Sequence, residues 1–105
     1  MAFSYSPKIV TNGLVLCLDA ANRRSYPGAG TAWTDLSGNN NHATLINGPI
    51  FNNINTGNII FDGTNDTSSF GNVLNLRTNN FTLIQWIKPN SFSSWCALTT
   101  FRRPN

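Results

Sequence analysis

The groups able to do chemistry in this chain are few. It carries four carboxylates (Asp19, Asp35, Asp62 and Asp66), no glutamate, one histidine, His42, and two cysteines, Cys17 and Cys96. Hydrolysis of a glycosidic bond ordinarily needs two carboxyl groups flanking the scissile bond, about 5–5.5 Å apart for retention and about 6.5–9.5 Å for inversion. All four aspartates fall in turns or at the ends of strand-like runs. Asp62 and Asp66 are close in sequence, but Asp62-Gly63 is a tight-turn pair that explains its aspartate without catalysis. His42 opens a strand-like run and reads as a solvent-edge residue. Cys17 stands among Val15, Leu16 and Leu18, where burial raises a thiol's pKa and removes the thiolate a nucleophile needs. No catalytic residue is assigned. Both cysteines lie in apolar runs and read as buried free thiols.

Binding chemistry is better represented. Asp62, Asn65 and Asp66 offer oxygens of the kind that calcium, a hard cation, takes; the five residues 62–66 also make an ordinary turn, and no other cofactor is expected. Tyr26, Trp33, Asn39, Asn40 and Asn41 bring aromatic faces and amides into one loop region, which are the tools of sugar recognition. Trp33 serves equally well as a plug for the edge of a sheet. Phe3, Tyr5, Trp95 and Phe101 are candidate contacts with a neighbouring chain.

The elements that must position these residues are strands. Seven Phe, three Trp and two Tyr accompany many Ile and Val, and seventeen Asn supply turns. Asn12-Gly13, Asn47-Gly48 and Asp62-Gly63 punctuate short apolar runs. Strands are expected at Lys8–Val10, Leu14–Leu18, His42–Ile46, Ile50–Phe51 and Asn58–Phe61. Weaker ones are expected at Thr67–Phe70 and Val73–Leu76. The strongest is Phe81–Ile87, which sets Phe81, Leu83, Gln85 and Ile87 on one face and Thr82, Ile84 and Trp86 on the other. Trp95–Phe101 is the last. Asp19–Asn41 reads as loop, packed down by Tyr26, Trp33 and Leu36. The expected core is Val15, Cys17, Ile60, Leu83, Trp86 and Leu98.

Five ordered blocks carry a family resemblance. Gly13-Leu14-Val15-Leu16-Cys17-Leu18-Asp19-Ala20-Ala21-Asn22 resembles the opening strand of laminin G-like, concanavalin A-like lectin/glucanase domains. Trp33-Thr34-Asp35-Leu36-Ser37-Gly38-Asn39 is similar to the W-x-D-x-S-G-N segment that follows it. Asn41–Leu45 and Ile60–Asp66 resemble the next two blocks, and Phe81–Pro89 the F-T-x-x-x-W-[IV]-K-P strand. Thr67 departs from the hydrophobe usual after the F-D-G block. The resemblance implies an all-β, antiparallel jelly-roll-like β-sandwich over residues 8–105, preceded by an arm at 1–7. The sandwich is incomplete relative to the family, with its C-terminal half missing. A partner chain is therefore expected over Trp95–Phe101; the competing expectation is that these 105 residues are a fragment of a longer polypeptide. The glucanase branch carries its carboxylate pair as Glu residues alternating on one strand; with no Glu here, no enzyme is expected.

The opening Met1–Val10, running straight into the lectin-like strand, is similar to virion proteins of tailed bacteriophages. The resemblance implies a non-enzymatic structural component of the virion, made in the host cytoplasm without a signal peptide. It would act in assembly or decoration, with other virion proteins and further copies of itself as partners. The alternative is a carbohydrate-binding module that attaches a phage fibre to host glycans. Charge adds little to either. The net charge of +3 comes from scarce acids, and Arg23-Arg24 and Arg102-Arg103 are pairs rather than the basic stripe nucleic acid wants. No run approaches the ~20 apolar residues of a membrane-spanning helix, so no membrane insertion is expected.

Overall fold

The computed structural model describes residues 10–70, 80–91 and 98–100. The arm at 1–7, the candidate contacts Phe3, Tyr5, Trp95 and Phe101, the run Val73–Leu76, and Cys96 lie outside them. The chain divides into two units, Met1–Leu74 and Asn75–Asn105.

In the first unit the described residues form five short strands and one 3-10 turn: β1 Ala32–Trp33, β2 Ala43–Ile46, β3 Ile50–Asn52, the turn Ile54–Thr56, β4 Asn58–Ile60 and β5 Thr67–Ser69. All pairings are antiparallel. One sheet has the order β1-β2-β5, with Trp33 opposite Ala43 and Leu45 opposite Ser68. The other is the hairpin β3-β4, with Phe51 opposite Ile59. The described fold is thus mostly β with almost no helix.

β2 shows why its sequence makes a strand. Ala43 and Leu45 are buried while Thr44 and Ile46 are exposed, the alternation of a strand with one face against a core. The turn between β3 and β4 depends on Gly57. Its φ is 129°, and a Cβ there would lie 2.9 Å from the Ala20 carbonyl oxygen and 3.1 Å from the Phe51 ring. Neither the conformation nor the space admits a side chain. Asn40, Asn47 and Asn55 also take positive φ, which uses part of the chain's abundant asparagine.

The core differs from the expected one. Among described residues the buried apolar side chains are Tyr26, Ala43 and Leu45, joined by Ser25 and Asp35. Of the expected set, Cys17 is half-buried, while Val15, Ile60, Leu83 and Leu98 are exposed and Trp86 is 97 % exposed. Ile60 lies on the exposed side of β4, and two departures in strand assignment account for Val15, Leu83 and Trp86. Leu14–Leu18 is irregular because loop side chains, rather than a neighbouring strand, hold its backbone. In the second unit, residues 80–90 form no ladder, and every described residue from Phe81 to Ile87 is exposed. A strand needs a neighbour to take its N–H and C=O groups, and no described strand pairs there. Within that unit the Gln85 amide donates to the Thr99 hydroxyl. A third departure is β1, a strand inside the stretch expected to be loop.

Candidate functional site

The most organised part of the molecule is built on Asp35. It follows β1, and the residue is 5 % exposed. Oδ1 accepts the backbone N–H groups of Cys17 and Ser37, both at 2.9 Å. Oδ2 accepts the Ser37 hydroxyl at 2.6 Å and the Asn41 N–H at 3.0 Å. The main chain of Asp35 joins in, since its N–H donates to His42 Nδ1 at 3.0 Å. One carboxylate therefore fastens the loop from Ser37 to Asn41 upon itself and onto the Leu14–Leu18 segment.

Two asparagines complete this clamp. Asn39 Nδ2 donates to the Leu14 carbonyl at 2.9 Å, and Asn41 Nδ2 to the Val15 carbonyl at 2.8 Å. Leu36 N–H donates to the Cys17 carbonyl. A similar arrangement anchors the preceding loop. The fully buried Ser25 hydroxyl donates to the Thr34 carbonyl at 2.7 Å and accepts the Asp19 N–H at 3.1 Å. Tyr26 lies next to it, its hydroxyl donating to the Gly30 carbonyl and its ring 5.3 Å from that of Phe51.

The ionisation of Asp35 follows from this geometry. Burial pushes its carboxyl up, but the Ser37 hydroxyl and the N–H groups of Cys17, Ser37 and Asn41 outweigh burial and hold it below the usual range. Cys17, a free thiol, moves up, chiefly by burial and further by the negative charges of Asp19 and Asp35. The sign for stability is that of a depressed acid. Asp35 contributes fully above its unfolded value of about 3.9, and its contribution is lost as pH falls through the lower folded value. Denaturant melts should show stability level from neutral pH to about pH 5 and falling below about pH 4. Asp35→Asn should remove part of that fall; Asp62, lowered by the Thr64 N–H despite an opposing effect of burial and helped by Asn65 and Asp66, supplies another part.

Serine, histidine and aspartate meet here without forming a catalytic triad. In a triad the histidine takes the nucleophile's proton and the carboxylate orients the histidine. Here the Ser37 hydroxyl donates to the carboxylate, and His42 Nδ1 accepts from the backbone. The three groups hold a loop.

The sugar-recognition set is divided by this arrangement. Asn39 and Asn41 are engaged with main-chain carbonyls, and Tyr26 is buried against Phe51. Asn40 is exposed at a positive φ, and Trp33 is half-buried in β1 with its Nε1 buried and without a hydrogen-bond partner among the described residues. A cavity of about 170 Å³ opens beside Tyr26 and Phe51, with Arg23, Asn53 and Thr56 on its wall. It falls below the ~300–1,000 Å³ usual for small-molecule sites.

Asp62, Asn65 and Asp66 do lie together, in a loop that closes on itself. Asp62 Oδ1 accepts the N–H groups of Thr64 at 2.8 Å and Asn65 at 3.2 Å, and Asp66 Oδ2 accepts the Asp62 N–H at 3.0 Å. The Asn65 carbonyl takes the Asn47 side chain. Among the described residues no three of His, Cys, Asp or Glu are placed to share a metal ion, and no helix is long and apolar enough to cross a membrane.

Ser25, Ser37 and Phe51 were not among the residues singled out from sequence, although Ser37 stands in the W-x-D-x-S-G-N segment. No protein-family model, curated protein or solved structure matches this chain.

Proposed function

We propose that this chain is a non-enzymatic structural component of a bacteriophage virion, an assembly or decoration module on a laminin G/concanavalin A-like antiparallel β-sandwich. The observation that carries the reading is the state of Phe81–Ile87. Within this segment, the strongest strand pattern in the sequence, every residue of Thr82–Ile87 is exposed and makes no ladder among the described residues, with Ile84 and Trp86 in solvent. Such a run is a template for pairing with another chain, and native proteins cover it. Other virion proteins or further copies of this chain are the proposed partners.

The Asp35 clamp supports the same reading. Its polar side chains serve the chain's own backbone, which suits a rigid module better than an open sugar groove. Antibody labelling of purified virions, viewed by electron microscopy, tests the proposal. Label at regular sites on the particle is expected. Particles without label, from cells that make the chain, would overturn it.

A further inference from the structure

We propose that Asn12-Gly13 is a site of spontaneous covalent modification: deamidation through a succinimide, with water as the co-reactant. The reaction forms a bond between the Gly13 backbone nitrogen and Asn12 Cγ and breaks the Cγ–Nδ2 bond. The Gly13 N–H proton passes to solvent, solvent returns one proton to the departing nitrogen, and it leaves as ammonia. Water then opens the ring at either carbonyl, giving aspartate or isoaspartate. No oxidation or reduction takes place.

Three steps in the sequence place glycine after Asn or Asp, where ring closure is least hindered: Asn12-Gly13, Asn47-Gly48 and Asp62-Gly63. The structure separates them. Ring closure needs a side chain free to rotate onto the next nitrogen. Asn47 is held by its amide, which donates to the Asn65 carbonyl at 2.7 Å. Asp62 presents a carboxylate rather than an amide, and its Oδ1 is engaged by the Thr64 and Asn65 N–H groups. Asn12 is exposed, and its side chain makes no hydrogen bond with the described residues. It sits in a turn closed by one bond, from the Leu14 N–H to the Thr11 carbonyl. Gly13, at φ 79°, brings no side chain of its own to crowd the attacking nitrogen.

The product would alter a structural position. A new carboxylate lowers the net charge from +3 to +2, by subtraction of one. Isoaspartate also adds a carbon to the main chain just before Leu14 and Val15, whose carbonyls receive Asn39 and Asn41.

Peptide mapping by mass spectrometry of the purified chain, aged in mildly alkaline buffer, provides the test. The peptide bearing Asn12 should gain the mass difference between an amide and an acid and show isoaspartate. Asn47 should convert roughly two- to tenfold more slowly, the scale set by one retained hydrogen bond of about 0.5–1.5 kcal/mol. In urea the two rates should converge. An intact Asn12, an Asn47 that converts as fast in the folded chain, or a rate difference that persists in urea would each overturn the proposal.

Discussion

Replacing Asp35 by alanine should destabilise the first unit by about 3–5 kcal/mol. Four donors converge on this nearly buried carboxylate, three of them backbone N–H groups, from Cys17, Ser37 and Asn41. Its loss leaves them without their acceptor, at roughly 1–3 kcal/mol for each donor that water cannot reach. Whole domains are stable by only about 5–15 kcal/mol, so the variant should stand near the threshold of folding. Asp35→Asn keeps an acceptor for Cys17 and Ser37 but turns an NH₂ towards the Asn41 N–H. An intermediate cost of about 1–3 kcal/mol is expected. Urea denaturation of the three proteins checks the order. A cost below about 1 kcal/mol for Asp35→Ala would mean that the clamp is not what holds the Leu14–Leu18 segment.

Replacing Trp86 by serine should do the opposite: little to the isolated chain and much to its assembly. Trp86 is 97 % exposed, so its truncation should change stability by no more than about 0.5 kcal/mol. As an aromatic anchor in an interface it should carry about 2–4 kcal/mol, a loss of roughly 30- to 1,000-fold in affinity for the partner chain. Ile84→Ser should act in the same direction with a smaller effect. Denaturation and incorporation into particles, measured on the same variants, separate the two roles. A Trp86→Ser chain destabilised by more than about 2 kcal/mol would place the indole in this chain's own core. Unchanged incorporation would remove it from the interface.

What the sequence made legible is local. The short runs His42–Ile46, Ile50–Phe51 and Asn58–Phe61, each bounded by turn residues, led to real strands, because residue type and turn chemistry are properties of short segments. Leu14–Leu18 has the apolar run of a buried strand, yet its backbone is satisfied by Asp35, Asn39 and Asn41, which lie some twenty residues on. No pattern within a run reveals a partner at that distance. Ala32–Trp33 became a strand because β2 lies beside it, not through its own composition. Phe81–Ile87 errs the other way: the pattern is present, and no strand among the described residues pairs with it.

The candidate site shows the same division. Asn39 and Asn41 have the right chemistry for a sugar, and only the structure shows their amides turned to the chain's own carbonyls. Asp35 was recognisable as a member of the W-x-D-x-S-G-N segment, but its four donors come from three separate residues that folding brings together. The Asp62–Asp66 turn was legible in full, since all of its bonds within the loop span four residues or fewer.

Amide hydrogen exchange of Phe81–Ile87, measured in the isolated chain and in the assembled particle, tests the central claim most directly. The amides should exchange rapidly in the isolated chain and gain strong protection on assembly, because a partner strand takes their hydrogen bonds. Protection already present in the isolated chain, or none gained in the particle, would contradict the proposal that this segment is completed by another chain.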